Sequence, residues 1–253
     1  NFDMGYSSTD YYSFGAADGE LDYYFFYGDT IADIISQYTA LTGRCPLPQL
    51  WTLGYHQSRW GYSSQQEVLD LAQNFIDNDL PCDVIHMDID YMDNYKVFTV
   101  DKNRFPDLTA LSDILHQKGI RLVTIIDPGT KVENGYHMYE EGIKNNYFAQ
   151  TPDGEVYENV VWPGDSVFPD YTSSIVRNWW GSQTKFLLDQ GISGIWNDMN
   201  EPASFRGPLP DDVVFPGDDM PRQHKEVHNV FGHLMAKATY EGIKRTSGNV
   251  LLS

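Results

Sequence analysis

Positive charge is scarce in this chain, and so are cysteine and long apolar runs. Only 17 Lys and Arg stand against 36 Asp and Glu among 253 residues, a formal net charge of −19. Nucleic-acid binding needs clustered cations that displace phosphate counterions, so that class of partner is excluded. No run of roughly eighteen apolar residues occurs, so no membrane-spanning helix and no membrane partner is expected. The two cysteines, Cys45 and Cys82, lack metal-type spacing and are too few for a disulfide scaffold; sequence alone does not pair them. The chain starts at Asn1 with no initiator Met, basic stretch or apolar signal-type segment. This start reads as trimmed or as a piece of something longer, and with the acidic balance it leans towards a bacterial cytoplasm.

What is present argues against disorder. Hydrophobic residues make up 41%, and 17 Tyr, 13 Phe and 6 Trp supply far more aromatic surface than a disordered acidic chain carries. A length near 250 suits one large α/β domain, or a barrel with a small appendage, that buries about 70–75% of its unfolded surface.

Residues 1–48 are rich in Tyr, Phe, Gly and Asp and read as the end of an N-terminal β-sandwich domain plus a linker marked by Pro46 and Pro48. Within them Leu21 to Asp29 reads as an aromatic strand packed between layers, and Asp33 to Gly43 as a short helix ended by glycine. From residue 49 onwards the pattern becomes strand then helix, repeated. Trp51 to His56 precedes a helix over Ser63 to Asn78, and Cys82 to Asp90 precedes one over Leu108 to Gly119. Arg121 to Gly129 leads through a long irregular stretch to a helix over Ser173 to Gly191. Ile192 to Glu201, a Pro/Asp-rich loop to Pro221 and a helix over Lys225 to Arg245 follow, and Asn249 to Ser253 opens one more strand. Apolar strands alternating with helices imply a parallel sheet covered on both faces. The expected fold is therefore the first part of a (β/α)8 TIM barrel over residues 49–253, strands one to four and the start of the fifth.

In such a barrel the active site forms at the carboxyl ends of the strands. Those ends here carry His56 and Arg59, Asp88 and Asp90, Asp127, and Asp198 and Glu201. The strongest signal is GIWNDMNEP, Gly194 to Pro202. Strand alternation puts Trp196, Asp198 and Asn200 on one side and Asn197 and Met199 on the other. A carboxylate beside an indole suits a sugar, whose C–H face covers the ring while the acid meets hydroxyls or developing positive charge. A buried structural Asp at a strand end is the bland alternative.

These residues resemble glycoside hydrolase family 31, the retaining α-glucosidases and their relatives. The blocks that carry the resemblance run in one order: QYTALTGRCPLPQLWTLGYHQSRWGY, MDIDYMDNYKVFTVD, IIDPG, VWPGDSVFPDY and GIWNDMNEPASF. Together they span nearly all of the chain from residue 21. The resemblance implies that Asp198 is the nucleophile of a covalent glycosyl-enzyme. It implies Asp88 and Ile89 around the terminal sugar, and Ile125 or Ile126, Trp162, Trp196, Met199 and Phe205 as walls. Trp60 stands where many relatives carry Tyr. Asp127 and Glu201 read as supporting groups that orient the others. The family's acid/base is an Asp on a later strand, past the end of this chain. The substrate implied is a small α-glucoside or oligosaccharide hydrolysed exo-wise; no cofactor is expected, and the remaining half of the barrel is the expected partner. A sugar-binding half without turnover, or an α-xylosidase, α-galactosidase or α-glucan lyase, are the alternatives.

Two signals point elsewhere and are set aside. In HKEVH, His224 and His228 have i,i+4 spacing, but Glu226 sits in the middle, which fits neither zinc-protease pattern; a solvated helix face is expected. Pro208 to Pro221 groups four acids without the spacing of a calcium loop and reads as a solvated excursion near the pocket rim. No metal site is expected.

Overall fold

The first helix is specified by its ends. In the computed structural model, which describes residues 2–16 and 18–247, Thr30 and Asp33 form a reciprocal capping box that starts α1 (Ile31–Thr42), and Gly43 follows at φ 100°. Ahead of it, β1 (Phe2–Asp3) and β2 (Ser13–Phe14) pair antiparallel. These elements lie in the first of two compact units, Asn1–Leu47 and Pro48–Ser253. No described residue of the first unit is buried. The aromatic run at 21–29 forms no strand, contrary to expectation, and Tyr23, Tyr24, Phe25 and Tyr27 are 64–79% exposed. A strand needs a ladder partner and a layer to pack against. Within this unit the rings instead meet one another edge-on, Tyr23 with Phe14 at 5.7 Å and Phe26 with Tyr38 at 5.9 Å.

The second unit holds the parallel sheet. Its strands are β3 (His56–Ser58), β4 (Val84–Met87), β5 (Arg121–Ile126) and β9 (Gly194–Asn197), hydrogen-bonded in that order. Between them run α2 (Gln65–Asp77), capped by Ser64, and α3 (Leu108–Gln117), capped by Asp107. The first strand is shorter and later than the sequence pattern suggests, because Leu50–Leu53 close into a helical turn. The stretch after β5 is also less irregular than expected. It holds β6 (Thr130–Lys131), α4 (His137–Asn145), β7 (Glu158–Val161) and β8 (Gly164–Val167), and the three strands form a small antiparallel sheet.

The long helices are α5 (Ser174–Leu188) and α6 (His224–Ser247), with β10 (Val214–Phe215) and β11 (Arg222–Gln223) paired just before the latter. Their axes approach closely at two glycines: a Cβ on Gly242 would stand 2.1 Å from the Gly181 carbonyl oxygen. Only a residue without a side chain fits that crossing.

The acidic loop at 208–221 keeps Asp211, Asp212, Asp218 and Asp219 exposed, as expected, and it also serves as a fastening. Ser173 makes no side-chain cap for α5; Asp218 accepts from the Ser174 N–H at 2.8 Å and from the Ser173 hydroxyl at 3.0 Å. Buried Asp170 accepts from the Gly217 N–H at 2.7 Å and holds the same loop. The expectation for HKEVH is corrected: His224 is 2% exposed, packs on Phe215 and contacts His228 through ring nitrogens 3.0 Å apart. The strand expected at Asn249 to Ser253 lies outside the described residues. Among the described residues no helix is long and apolar enough to cross a membrane.

Candidate active site

Register brings the strand-end carboxylates together. β4 pairs with β5 through Met87↔Thr124, and β5 with β9 through Ile125↔Trp196 and Ile126↔Asn197. One further step sets Asp88 beside Ile125 and Asp127 beside Asp198, and the Asp198 N–H still donates to the Ile126 carbonyl at 3.2 Å. Alternation then turns Asp88, Ile125, Asp127 and Asp198 to the same face of the sheet. The opposite face meets the helices: Asn197 accepts from Thr239 of α6 at 2.8 Å.

A cavity of about 210 Å³ opens there, lined by Trp60, Asp88, Ile89, Ile125, Asp127, Trp162, Asp198 and Met199. Eight of the residues singled out in the sequence thus surround one space. Of the two isoleucines considered, Ile125 lines it, while Ile126 is fully buried on the other face. Met199 departs from simple alternation. Its φ is 55°, a left-handed turn that ends the strand and swings the thioether to the side of Asp198. Trp196 departs too. It shares the sheet face with Asp198 but lines a second cavity deeper in the sheet, of about 440 Å³, with Trp51, His56, His86 and Val123. The indoles beside Asp198 are Trp60 and Trp162, whose rings lie 5.4 Å apart.

Trp162 follows β7 at the tip of the β7–β8 hairpin, and Phe205, 51% exposed, meets it edge-on at 4.9 Å. The Phe205 N–H donates to the Val160 carbonyl at 2.8 Å, and Arg206 reaches Asp165 at 3.1 Å, so the segment after Asp198 is tied to the hairpin. Glu201 is exposed and does not line the cavity. On the other side, Lys96 joins Asp93 at 2.8 Å and Glu133 at 2.7 Å, linking the segments that follow β4 and β5.

Burial shifts two of the carboxyl groups. Asp88 accepts from the Ile89 N–H at 2.8 Å; burial raises its pKa, with Asp198 and Asp90 adding to the shift. Asp127 is 7% exposed, and burial, helped by Asp198, Asp88 and Glu201, pushes it up to about 7. Its Oδ1 has no hydrogen-bond partner. Sequence reasoning missed the supports beneath this layer. Tyr91 donates to the Ile125 carbonyl at 2.8 Å, and His86, two residues before Asp88 and so on its face, contacts His56 at 3.0 Å. The alternation that placed Asp88 also pointed to His86. Among the described residues no cluster of three or more His, Cys, Asp or Glu side chains is arranged to hold a metal ion.

A parallel βα sheet whose strands deliver carboxylates to one aromatic-walled mouth defines the first part of a TIM-barrel domain of the glycoside hydrolase class. The chain belongs to glycoside hydrolase family 31: residues 45–253 match the family profile described as the glycosyl hydrolases family 31 TIM-barrel domain. It is 52% identical over 241 residues to alpha-glucosidase 2 of Bacillus thermoamyloliquefaciens, covering 94% of this chain and 31% of that protein. Among solved structures it is similar to a family 31 dextranase of Flavobacterium johnsoniae complexed with isomaltotriose (TM-score 0.88, 28% identity, 98% of this chain and 30% of that one). It is also similar to a DNJ-bound glucosidase II alpha subunit (TM-score 0.81, 39% identity, 89% of this chain and 25% of that one). The chain therefore spans less than a third of the length of these relatives.

Proposed function

We propose that this chain is the nucleophile-bearing part of a retaining, exo-acting α-glucosidase that releases terminal α-linked glucose from oligosaccharides. The observation that carries the reading is the single cavity in which Asp198 meets Asp88, two indoles and the apolar Ile89, Ile125 and Met199. Indole faces cover the C–H surface of a hexose, and Asp88 accepts from its hydroxyls. The Asp198 carboxylate attacks the anomeric carbon; the C1–O bond to the leaving sugar breaks as a bond from C1 to Asp198 forms. The departing oxygen takes its proton from a second carboxyl about 5–5.5 Å from the nucleophile, which we assign to a segment outside this chain, as part of the remaining half of the barrel. Water then cleaves the glycosyl ester with the same group acting as base.

Trapping decides the assignment. With the protein produced at its natural length, 5-fluoro-α-glucosyl fluoride is expected to label the peptide holding Asp198, located by mass spectrometry. A label on another carboxylate removes Asp198 from this role.

A further inference from the structure

Three carboxyl groups, Asp88, Asp127 and Asp198, line the cavity, and among the described residues no Lys, Arg or His side chain lines it with them. Three negative charges around one small, partly dry space repel strongly, and the most deeply buried group has least water to offset its own charge. That group is Asp127, 7% exposed, whose Oδ1 is sealed from solvent and accepts no hydrogen bond. An ionised carboxylate in such a position would normally be met by two or more donors. Among the described residues the titratable groups facing it from neighbouring elements are acids or phenols: Asp198 and Glu201 from β9 and the segment after it, Asp88 from the end of β4, Tyr91 from the turn that follows, and Tyr171 ahead of α5.

We propose that Asp127 is a proton-holding positioning residue: it stays neutral beside the nucleophile, so that the charge of the cluster resides on Asp198 and Asp198 keeps its attacking position. This rests on the nucleophile assignment above and deepens it. Ionisation of Asp127 would place a further negative charge directly across the ladder from Asp198 and push that side chain away from the anomeric carbon. The chain thereby carries its own alkaline limit, separate from that of the acid/base. The direction agrees with the elevated pKa of Asp127, about 7.

The test removes the acid/base from the measurement. Fluoride leaves α-glucosyl fluoride without needing a proton, so kcat/KM for this substrate reports bond formation to Asp198 alone. In the natural-length protein kcat/KM is expected to fall about tenfold per pH unit above a midpoint near 7. Asp127→Asn, which keeps a neutral group of the same shape, is expected to lose about threefold at pH 6 and to have no alkaline limb up to pH 9. Asp127→Ala is expected to lose about a hundredfold at pH 6, because Asp198 is then unsupported. An unchanged alkaline limb in Asp127→Asn overturns the inference; if 5-fluoro-α-glucosyl fluoride still labels Asp198, the proposed function stands without it. Failure of that label overturns both. Should the Asn variant not fold, the infrared spectrum of the unaltered protein decides: a protonated-carboxyl band present at pH 6 and lost near pH 7 is expected, and its absence at pH 6 overturns the proposal.

Discussion

Two residues down β4 and β9 from the carboxylates, and four down β5, the face of the sheet changes character. His86, Val123 and Trp196 line the lower cavity of about 440 Å³, whereas Asp88, Ile125, Asp127 and Asp198 line the upper one of about 210 Å³. Burial acts on both layers in the same way, and the outcome differs with the chemistry of the side chain. In the lower layer burial and the neighbouring His56 push the His86 pKa down to about 4, so the ring sheds its proton. In the upper layer burial raises Asp127 to about 7, so its carboxyl holds a proton to higher pH than an exposed one. Both shifts favour the neutral form, and the contacts of the two groups differ. His86 meets His56 at 3.0 Å and stands edge-on to Trp196 at 6.2 Å, while Asp127 Oδ1 is left unpartnered. The lower layer presents aromatic rings to its cavity, and the upper layer presents carboxyl groups, which can accept from a ligand's hydroxyls.

The comparison breaks if the layers respond alike. Asp198→Asn should lower turnover by about three orders of magnitude or more while leaving the thermal midpoint nearly unchanged, since the exchange is almost isosteric. A comparable loss of folding would make Asp198 a packing residue. In the lower layer, His86→Leu should change stability and its pH dependence instead. The folded His86 stays neutral down to about pH 4, whereas an unfolded histidine takes up a proton near 6.5. Stability therefore falls as pH drops from about 6.5 to 4. The Leu variant should show a shallower fall across that window, read from thermal midpoints at pH 7, 5.5 and 4.5; an identical slope removes His86 as the cause. The smallest effect belongs to the rim. Arg206 and Asp165 are both largely exposed, and Arg206→Ala should cost under about 0.5 kcal/mol, with sugar affinity as the more sensitive readout.

Much of this was legible in the chain. Asp88, Asp127 and Asp198 sit at the ends of apolar strands, and a parallel ladder with period-two alternation leaves them few places to go but one mouth. Helix starts rest on short-range chemistry, as at Ser64 and Asp107, whose oxygens accept from N–H groups three residues on. The failures share a cause, since each depends on contacts distant in sequence or on backbone the pattern does not encode. Nothing before Met199 announces a positive φ, so alternation puts it on the wrong side; for Trp196 alternation gives the right face but not the cavity that the ring lines. The β6–β8–β7 sheet rests on strands of 2 to 4 residues inside a polar stretch, too short for periodicity to show. The aromatic run at 21–29 has strand composition, yet composition does not supply a partner.

The borrowed cap of α5 bears on how the molecule is made. Asp218 meets the Ser174 amide across 44 positions of sequence. On a ribosome, the N-terminal turn of that helix must wait while those later residues are added, its amides satisfied meanwhile by water. Premature release in that interval would leave the helix with a frayed beginning, and it is the arrival of one acidic side chain that fastens it.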